Sequence, residues 1–155
     1  MFDNEKLKAD LERDEAFKAF VYDDANAHPI KPGTSVVGHP TVGIGRALDV
    51  TGITRDEALF LLQNDINKHS AELLAALPWV SSLNEVRCRA IVNMCFNMGL
   101  NHLLGFTNTL AALKDHRWFD ASAGVRSSVW YKQVGARAER IAQAFETGSD
   151  NQAMV

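Results

Sequence analysis

The chain has 155 residues, 46% of them hydrophobic, and a formal net charge of −3. A chain of this length buries roughly two-thirds of its unfolded surface, so a core can form without disulfides or metals. No apolar run reaches the roughly 18 residues of a membrane span, and no basic face of the kind that binds nucleic acid is evident. We therefore expect a soluble, globular, monomeric protein that neither inserts into membranes nor binds nucleic acid.

The N-terminus lacks a basic segment followed by an apolar one, so the sequence predicts synthesis in the cytosol without a secretory signal. Cys88 and Cys95 stand seven positions apart on a predicted helix. At the helical rise, their Cα atoms would lie roughly 10 Å apart, too far for a disulfide. The five histidines show no ligand spacing with these cysteines, so we expect neither a metal nor a cofactor.

The first predicted helix, about residues 4–17, carries an acid in an unusual position. Leu7, Leu11 and Glu15 recur at four-residue intervals and fall along one side of the helix. A carboxyl at the edge of an apolar face loses hydration, which favours the neutral acid and suits general-acid catalysis. The alternative is a helix-end glutamate that reaches solvent or pairs with an arginine.

A β-hairpin is predicted after this helix. Phe20 and Tyr22 alternate with smaller residues and lead into an acidic turn at Asp23 and Asp24, while residues 41–46 alternate again as a return strand. Such a hairpin would bring Asp24 close to Thr41, with Glu15 facing both. The Pro- and Gly-bearing segment between the strands, residues 25–40, is expected to be a mobile extension.

Helices dominate the rest of the sequence. Thr54 and Glu57 form a capping box that opens a helix of about residues 54–77, which Pro78 stops. A second box, Ser82 to Glu85, is predicted to open a core helix that ends at Gly99. Its methionines are expected to be core residues and not a ligand groove. Short helices are predicted from Thr107, from about His116 and over 136–147, with Gly148 ending the last.

At these residues the sequence resembles the phage-type lysozymes, the endolysins of glycoside hydrolase family 24. Glu15 and Asp24 keep the family spacing of eight intervening residues, and Thr41 precedes Val-Gly-Ile-Gly as the family threonine precedes its glycine-rich strand. The remaining matches cover nearly the whole chain and lie at Gly52–Ala58, Asn93–Gly99, Gly105–Leu110, Trp130–Tyr131 and Arg137–Arg140.

The resemblance implies a fold of the α+β class that is mostly helical and lysozyme-like. A small N-terminal lobe with a short sheet, about residues 15–53, is joined by the long helix of residues 54–77 to a helical lobe, residues 78–148. The N-terminal helix would pack against that helical lobe. The whole chain, 1–155, would form a single lysozyme domain.

The resemblance also implies an inverting muramidase that acts on peptidoglycan for host cell lysis. Glu15 would protonate the leaving oxygen, while Asp24 and Thr41 would position the attacking water. Arg137 matches a family arginine that pairs with the catalytic glutamate. The enzyme would be made in the host cytoplasm and would reach the wall after release.

Phe96 and Thr109 match saccharide-contacting positions of the family, although Phe96 could equally serve in packing.

Two departures from the family pattern stand out. Sixteen residues separate Asp24 from Thr41, more than the commonest pattern has, and Arg46 replaces a frequent histidine, with Asp49 as a candidate partner.

Three rival functions remain at this point. A lytic transglycosylase also uses a glutamate acid but forms an anhydro sugar, and retention of Asp24 and Thr41 argues against it. A non-catalytic cell-wall-binding or virion structural module would not need Glu15 and Asp24. A helical DNA-binding module is disfavoured by the acidic charge.

Overall fold

The computed structural model describes residues 3–150, in which helices predominate and a small antiparallel sheet of three strands is present. This confirms the predicted α+β class. The chain divides into two compact units, Met1–Leu59 and Phe60–Val155. The strands are β1 (Lys18–Asp23), β2 (Pro40–Gly43) and β3 (Arg46–Ala47). The α-helices are α1 (Asn4–Glu15), α2 (Arg55–Ala76), α3 (Glu85–Met98), α4 (Leu100–Leu104), α5 (Thr107–Lys114), α6 (Trp118–Arg126), α7 (Val129–Val134) and α8 (Ala136–Thr147).

Helix α1 begins where the sequence predicts and ends earlier. The Asp3 carboxylate caps it by accepting hydrogen bonds from the first-turn amides. The helix stops at Glu15, about two residues before the predicted end, because Ala16 has a positive φ of 56°. Leu7 and Leu11 remain 40% and 47% exposed, and Glu15 is exposed. The prediction that the Glu15 carboxyl occupies a buried, apolar slot is therefore wrong.

The sheet has the order β1-β2-β3, with Tyr22 opposite Thr41 and Asp23 opposite Pro40. The predicted return strand, residues 41–46, is in fact broken by a turn between β2 and β3. Gly43 and Gly45 have φ values of 70° and 69°, a region that residues with a Cβ rarely adopt. The two glycines therefore reverse the chain and do not extend the strand.

The predicted capping box at the start of α2 is confirmed. The Thr54 amide donates to Glu57 Oε2 at 2.7 Å, and the Glu57 amide donates to Thr54 Oγ1 at 3.2 Å. Helix α2 begins in the first unit and continues into the second. It ends at Ala76, and a short 3-10 helix, Pro78–Ser82, follows.

The core of the second unit forms around α3. Its Ile91, Met94 and Cys95 are fully buried, together with Leu113 of α5 and Phe145 of α8. Full burial of such a side chain stabilises a fold by roughly 1.5–3 kcal/mol. The full burial of Met94 thus confirms that this methionine is a core residue, as predicted.

Some helix boundaries of the second unit differ from the prediction. Asn84 caps α3 by accepting from the Arg87 amide at 3.1 Å, whereas the Ser82 hydroxyl donates to a carbonyl of its own 3-10 turn. The predicted box from Ser82 to Glu85 is therefore wrong. Helix α6 begins at Trp118 and not at His116, whose φ of 60° is incompatible with a helix. The predicted limits of α8 are confirmed.

The cysteines at positions 88 and 95 are both free, as predicted. Among residues 3–150, no helix combines the length and the apolarity that crossing a bilayer would require.

Candidate active site

Glu15 is the last residue of α1, and its carboxylate lies against the turn between β2 and β3. A methyl group at position 45 would come within 2.8 Å of Glu15 Oε2, closer than a real Cβ approaches a neighbouring atom. Gly45 therefore serves both the turn and the close approach of the carboxylate. The end of α1 thus packs closely against the β2–β3 turn through the side chain of Glu15.

Asp24 and Thr41 are joined through one residue, His39. The Asp24 amide donates to the His39 carbonyl at 3.1 Å, and Asp24 Oδ1 accepts from the His39 amide at 2.6 Å. The Thr41 hydroxyl donates to the same carbonyl at 3.2 Å. Asp24 is exposed, whereas Thr41 is only 3% exposed. The hairpin thus brings an exposed carboxylate and a buried hydroxyl to the backbone of His39.

Asp23 is a buried carboxylate whose importance the sequence did not reveal. It is 1% exposed and accepts from the amides of Val37 at 2.7 Å, Gly38 at 2.9 Å and Ala25 at 3.0 Å. The side-chain amide of Asn26 is a fourth donor. The bond from the Val37 amide, more than any other contact, lowers the pKa of Asp23, and it outweighs the effect of burial. Asp23 is the last residue of β1, and strand alternation, which would turn its side chain away from that of the next residue, was the available signal.

The segment between the strands is bonded to the rest of the hairpin near both of its ends, and its mobility stays a prediction. At its start, Ile30 donates from its amide to the Val21 carbonyl at 3.0 Å, and Pro29 forms a bridge with Tyr22. At its end, the amides of Val37 and Gly38 bond to Asp23. These bonds fix where the chain returns to the sheet next to Thr41.

The predicted pairing of Arg46 with Asp49 is wrong. Arg46 donates to Glu57 at 2.6 Å and to the Gly52 carbonyl at 2.6 Å, so it joins β3 to the start of α2. Asp49 instead accepts from the ring of His39, with Nδ1 and Oδ2 2.9 Å apart. The partner of Asp49 thus comes from the end of the segment that precedes β2.

In the second unit, Phe96 and Arg137 line one apolar recess of 470 Å³. Arg137 donates from Nε to Asn93 Oδ1 at 2.9 Å and from Nη2 to the Asn93 carbonyl at 3.2 Å. Phe96 packs edge-on against His69, with ring centroids 5.5 Å apart. Phe96 is partly buried, so it both packs and borders the recess. The pairing of Arg137 with Glu15 stays a prediction.

Thr109 lies apart from that recess, in a second one of 320 Å³ at the start of α5. It is 5% exposed, and a methyl group at position 124 would come within 2.3 Å of its hydroxyl oxygen. The glycine at position 124 therefore leaves room for the Thr109 hydroxyl. Polar groups of Ser127 and Ser128 line the same recess.

Comparison with known proteins identifies a family and several relatives of this chain. The model of the family described as "Phage lysozyme" matches residues 13–143. "Probable T4-type lysozyme 1" of Dictyostelium discoideum is 28% identical over 116 residues, which are 74% of this chain and 68% of that protein.

Two further relatives come from bacteriophages. "Pre-baseplate central spike protein Gp5" of Enterobacteria phage T4 is 29% identical over 90% of this chain and 27% of its own length. "Peptidoglycan hydrolase gp36" of Pseudomonas phage phiKMV is 29% identical over 92% of this chain and 16% of its own length. The chain thus spans only a minor part of these two longer proteins.

Proposed function

The chain belongs to the phage lysozyme family, and on that premise we propose that it is a muramidase of glycoside hydrolase family 24. Its substrate would be the β-1,4 bond between N-acetylmuramic acid and N-acetylglucosamine in bacterial peptidoglycan. The similarity to a named peptidoglycan hydrolase and to a T4-type lysozyme supports this substrate class.

One observation carries the proposal. The first unit places a helix-end glutamate against the turn of a hairpin whose other residues, Asp24 and Thr41, share the His39 carbonyl. Glycoside hydrolysis by an attacking water uses one carboxyl group as acid and a second as base. The Thr41 hydroxyl would add a group that holds the water.

In the proposed mechanism Glu15 is the general acid. Its carboxyl donates a proton to the glycosidic oxygen as the bond to the anomeric carbon breaks, which makes the leaving sugar a neutral alcohol. Gly45, beside the carboxylate, keeps that space free of a side chain. We assign the proton to Glu15 and not to Asp24, because an oxygen of Asp24 already accepts from the His39 amide.

Asp24 and Thr41 would hold the attacking water. The ionised Asp24 carboxylate accepts a proton from the water, and the Thr41 hydroxyl oxygen keeps a free lone pair while its hydrogen bonds the His39 carbonyl. Room for a water between acid and sugar implies carboxyl groups about 6.5–9.5 Å apart and inversion at the anomeric carbon.

Residues of the second unit would bind the glycan. Phe96 would offer an apolar edge to a sugar ring, and the Thr109 hydroxyl would hydrogen-bond a sugar substituent from its recess. Arg137 would pair with Glu15 and hold the acid in place. We propose host cell lysis as the biological role, with no cofactor required.

The test is clearing of purified sacculi followed by mass analysis of the fragments. A muramidase releases fragments with a reducing muramic acid end. Anhydro ends would instead identify a transglycosylase, and intact sacculi would identify a non-catalytic wall-binding module. Either of these results would overturn the proposed activity.

A further inference from the structure

His39 has backbone contacts with both residues that would position the water. Its amide donates to Asp24 Oδ1 at 2.6 Å, and its carbonyl accepts from the Asp24 amide at 3.1 Å and from the Thr41 hydroxyl at 3.2 Å. A small displacement of His39 therefore moves the carboxylate of one residue and the hydroxyl of the other together.

The ring of His39 bonds to a carboxylate of a neighbouring turn. Its Nδ1 lies 2.9 Å from Oδ2 of Asp49, in the turn that follows β3. That turn is closed by bonds from the Thr51 and Gly52 amides to carbonyls four residues earlier, and the Leu48 amide donates to the Pro40 carbonyl at 2.8 Å. The Asp49 carboxylate is thus held by well-bonded backbone next to the strand that His39 precedes.

The His39 side chain contributes little to global stability by these contacts. The His39 and Asp49 side chains are 52% and 45% exposed, and exposed ion pairs stabilise folded proteins only slightly. Removing the ring should therefore shift the local backbone without unfolding the unit.

We propose that His39 is a positioning residue for the reaction, held by Asp49 and acting through its backbone on Asp24 and Thr41. The role rests on the proposed muramidase activity and adds a residue to it. The neighbouring Asp49 carboxylate would keep the imidazole oriented so that the water remains aligned with the anomeric carbon.

The ion pair of His39 and Asp49 also predicts that the turnover rate depends on pH. Asp49 raises the pKa of His39 by its hydrogen bond and by its charge. The charges of Asp24 and Asp23 also raise the pKa of His39, whereas burial lowers it. The hydrogen bond from His39 in turn lowers the pKa of Asp49. Because the folded pKa of His39 is raised, the ion pair is fully present below the ordinary histidine pKa of about 6.5 and is lost as the pH rises through the raised value. Turnover should therefore decline on the alkaline side through that titration.

The experiment compares kcat, KM and their pH profiles on soluble peptidoglycan fragments for His39→Ala, His39→Asn and Asp49→Asn. The matched control is His28→Ala, since His28 lies in the same segment and contacts its neighbours through its backbone. We expect His39→Ala to lower kcat by about 10-fold with KM unchanged, because small misalignments of reacting groups cost rate. Melting temperatures should stay close to that of the wild type.

The other variants separate positioning from charge. His39→Asn, whose amide can donate from near the Nδ1 position, should recover most of the kcat and lose the alkaline decline. Asp49→Asn should lower kcat and also lose the alkaline decline, since no ion pair remains for the titration of His39 to break.

Unchanged kcat and pH profile in His39→Ala and Asp49→Asn would overturn the role of His39 and leave the muramidase proposal standing. A change in KM alone would also overturn it, in favour of a substrate contact. Absence of any hydrolysis by the wild-type protein would overturn the proposed function itself.

Discussion

Carboxylates are held in different ways in the two units. In the first, Asp23 accepts from three backbone amides and one side-chain amide. In the second, Glu139 and Glu146 both accept from the guanidinium of Arg126, at 3.0 and 2.7 Å. Amides fix a carboxylate without neutralising its charge, whereas Arg126 compensates the charge of its partners.

The amide-bonded acids of the first unit differ in exposure, since Asp23 is buried and Asp24 is exposed and so available for chemistry. Around the hairpin, backbone groups orient Asp24 and leave its second oxygen for other partners. In the helical unit, the oxygens of Glu139 are taken by Arg126, Tyr131 and Gln143, and the contact with Arg126 is the main cause of its lowered pKa. We infer that Asp24 of the first unit can serve the proposed reaction, whereas Glu139 and Glu146 stabilise the helices of the second.

Replacing one glutamate by glutamine in each unit should give the largest contrast in activity and stability between the units. Glu15→Gln keeps the shape of the side chain but cannot donate the proton, so kcat on sacculi should fall by about 10²–10⁴-fold. Its melting temperature should not decrease, because Glu15 is exposed. Activity assays and thermal unfolding of the purified variant measure both. Unchanged turnover would remove Glu15 from the mechanism.

Glu139→Gln should show the opposite pattern. The amide removes the charge that pairs with Arg126 and replaces one of the acceptor oxygens by a donor, so a partly buried cation loses a partner. We expect the melting temperature to fall by about 5 °C while kcat stays within about twofold of the wild type. A large loss of kcat without a loss of melting temperature would contradict the division of roles.

Asp23→Asn tests the amide-held carboxylate by its pH dependence. Because the folded pKa of Asp23 is lowered, its contribution to stability is present above the ordinary aspartate pKa of about 3.9 and is lost as the pH falls through the lowered value. The variant should be less stable near neutral pH and should lose less stability on acidification.

Chemical unfolding at a series of acidic pH values measures this effect, with Asp65→Asn at an exposed position of α2 as the control. Parallel pH profiles for the wild type and Asp23→Asn would contradict the assignment. The asparagine oxygen can still accept part of the amide bonds, so the variant should remain folded near neutral pH.

The features that the sequence predicted are local ones. The capping box of Thr54 and Glu57 and the glycine stop at Gly148 depend on residues a few positions apart, and both are present. The buried face of α3, which includes Met94, follows from helical periodicity, which a single sequence shows directly.

The features that the sequence missed depend on contacts between distant positions. Asp23 bonds to amides 14 and 15 residues away, and His39 bonds to Asp49 across β2 and β3. Neither partner can be chosen until the register of the hairpin is known. The setting of Glu15 was mispredicted for a related reason, since periodicity identifies a helix face but does not specify what covers it.

The stereochemistry of the first-formed product tests the proposed mechanism most directly. Proton NMR of the products released by the wild-type enzyme, recorded before mutarotation, distinguishes the two anomers of the new reducing end. Water held by Asp24 and Thr41 attacks the face opposite the leaving group, so a β-linked substrate should give the α-anomer first. The β-anomer as first product would contradict the water-positioning role of both residues.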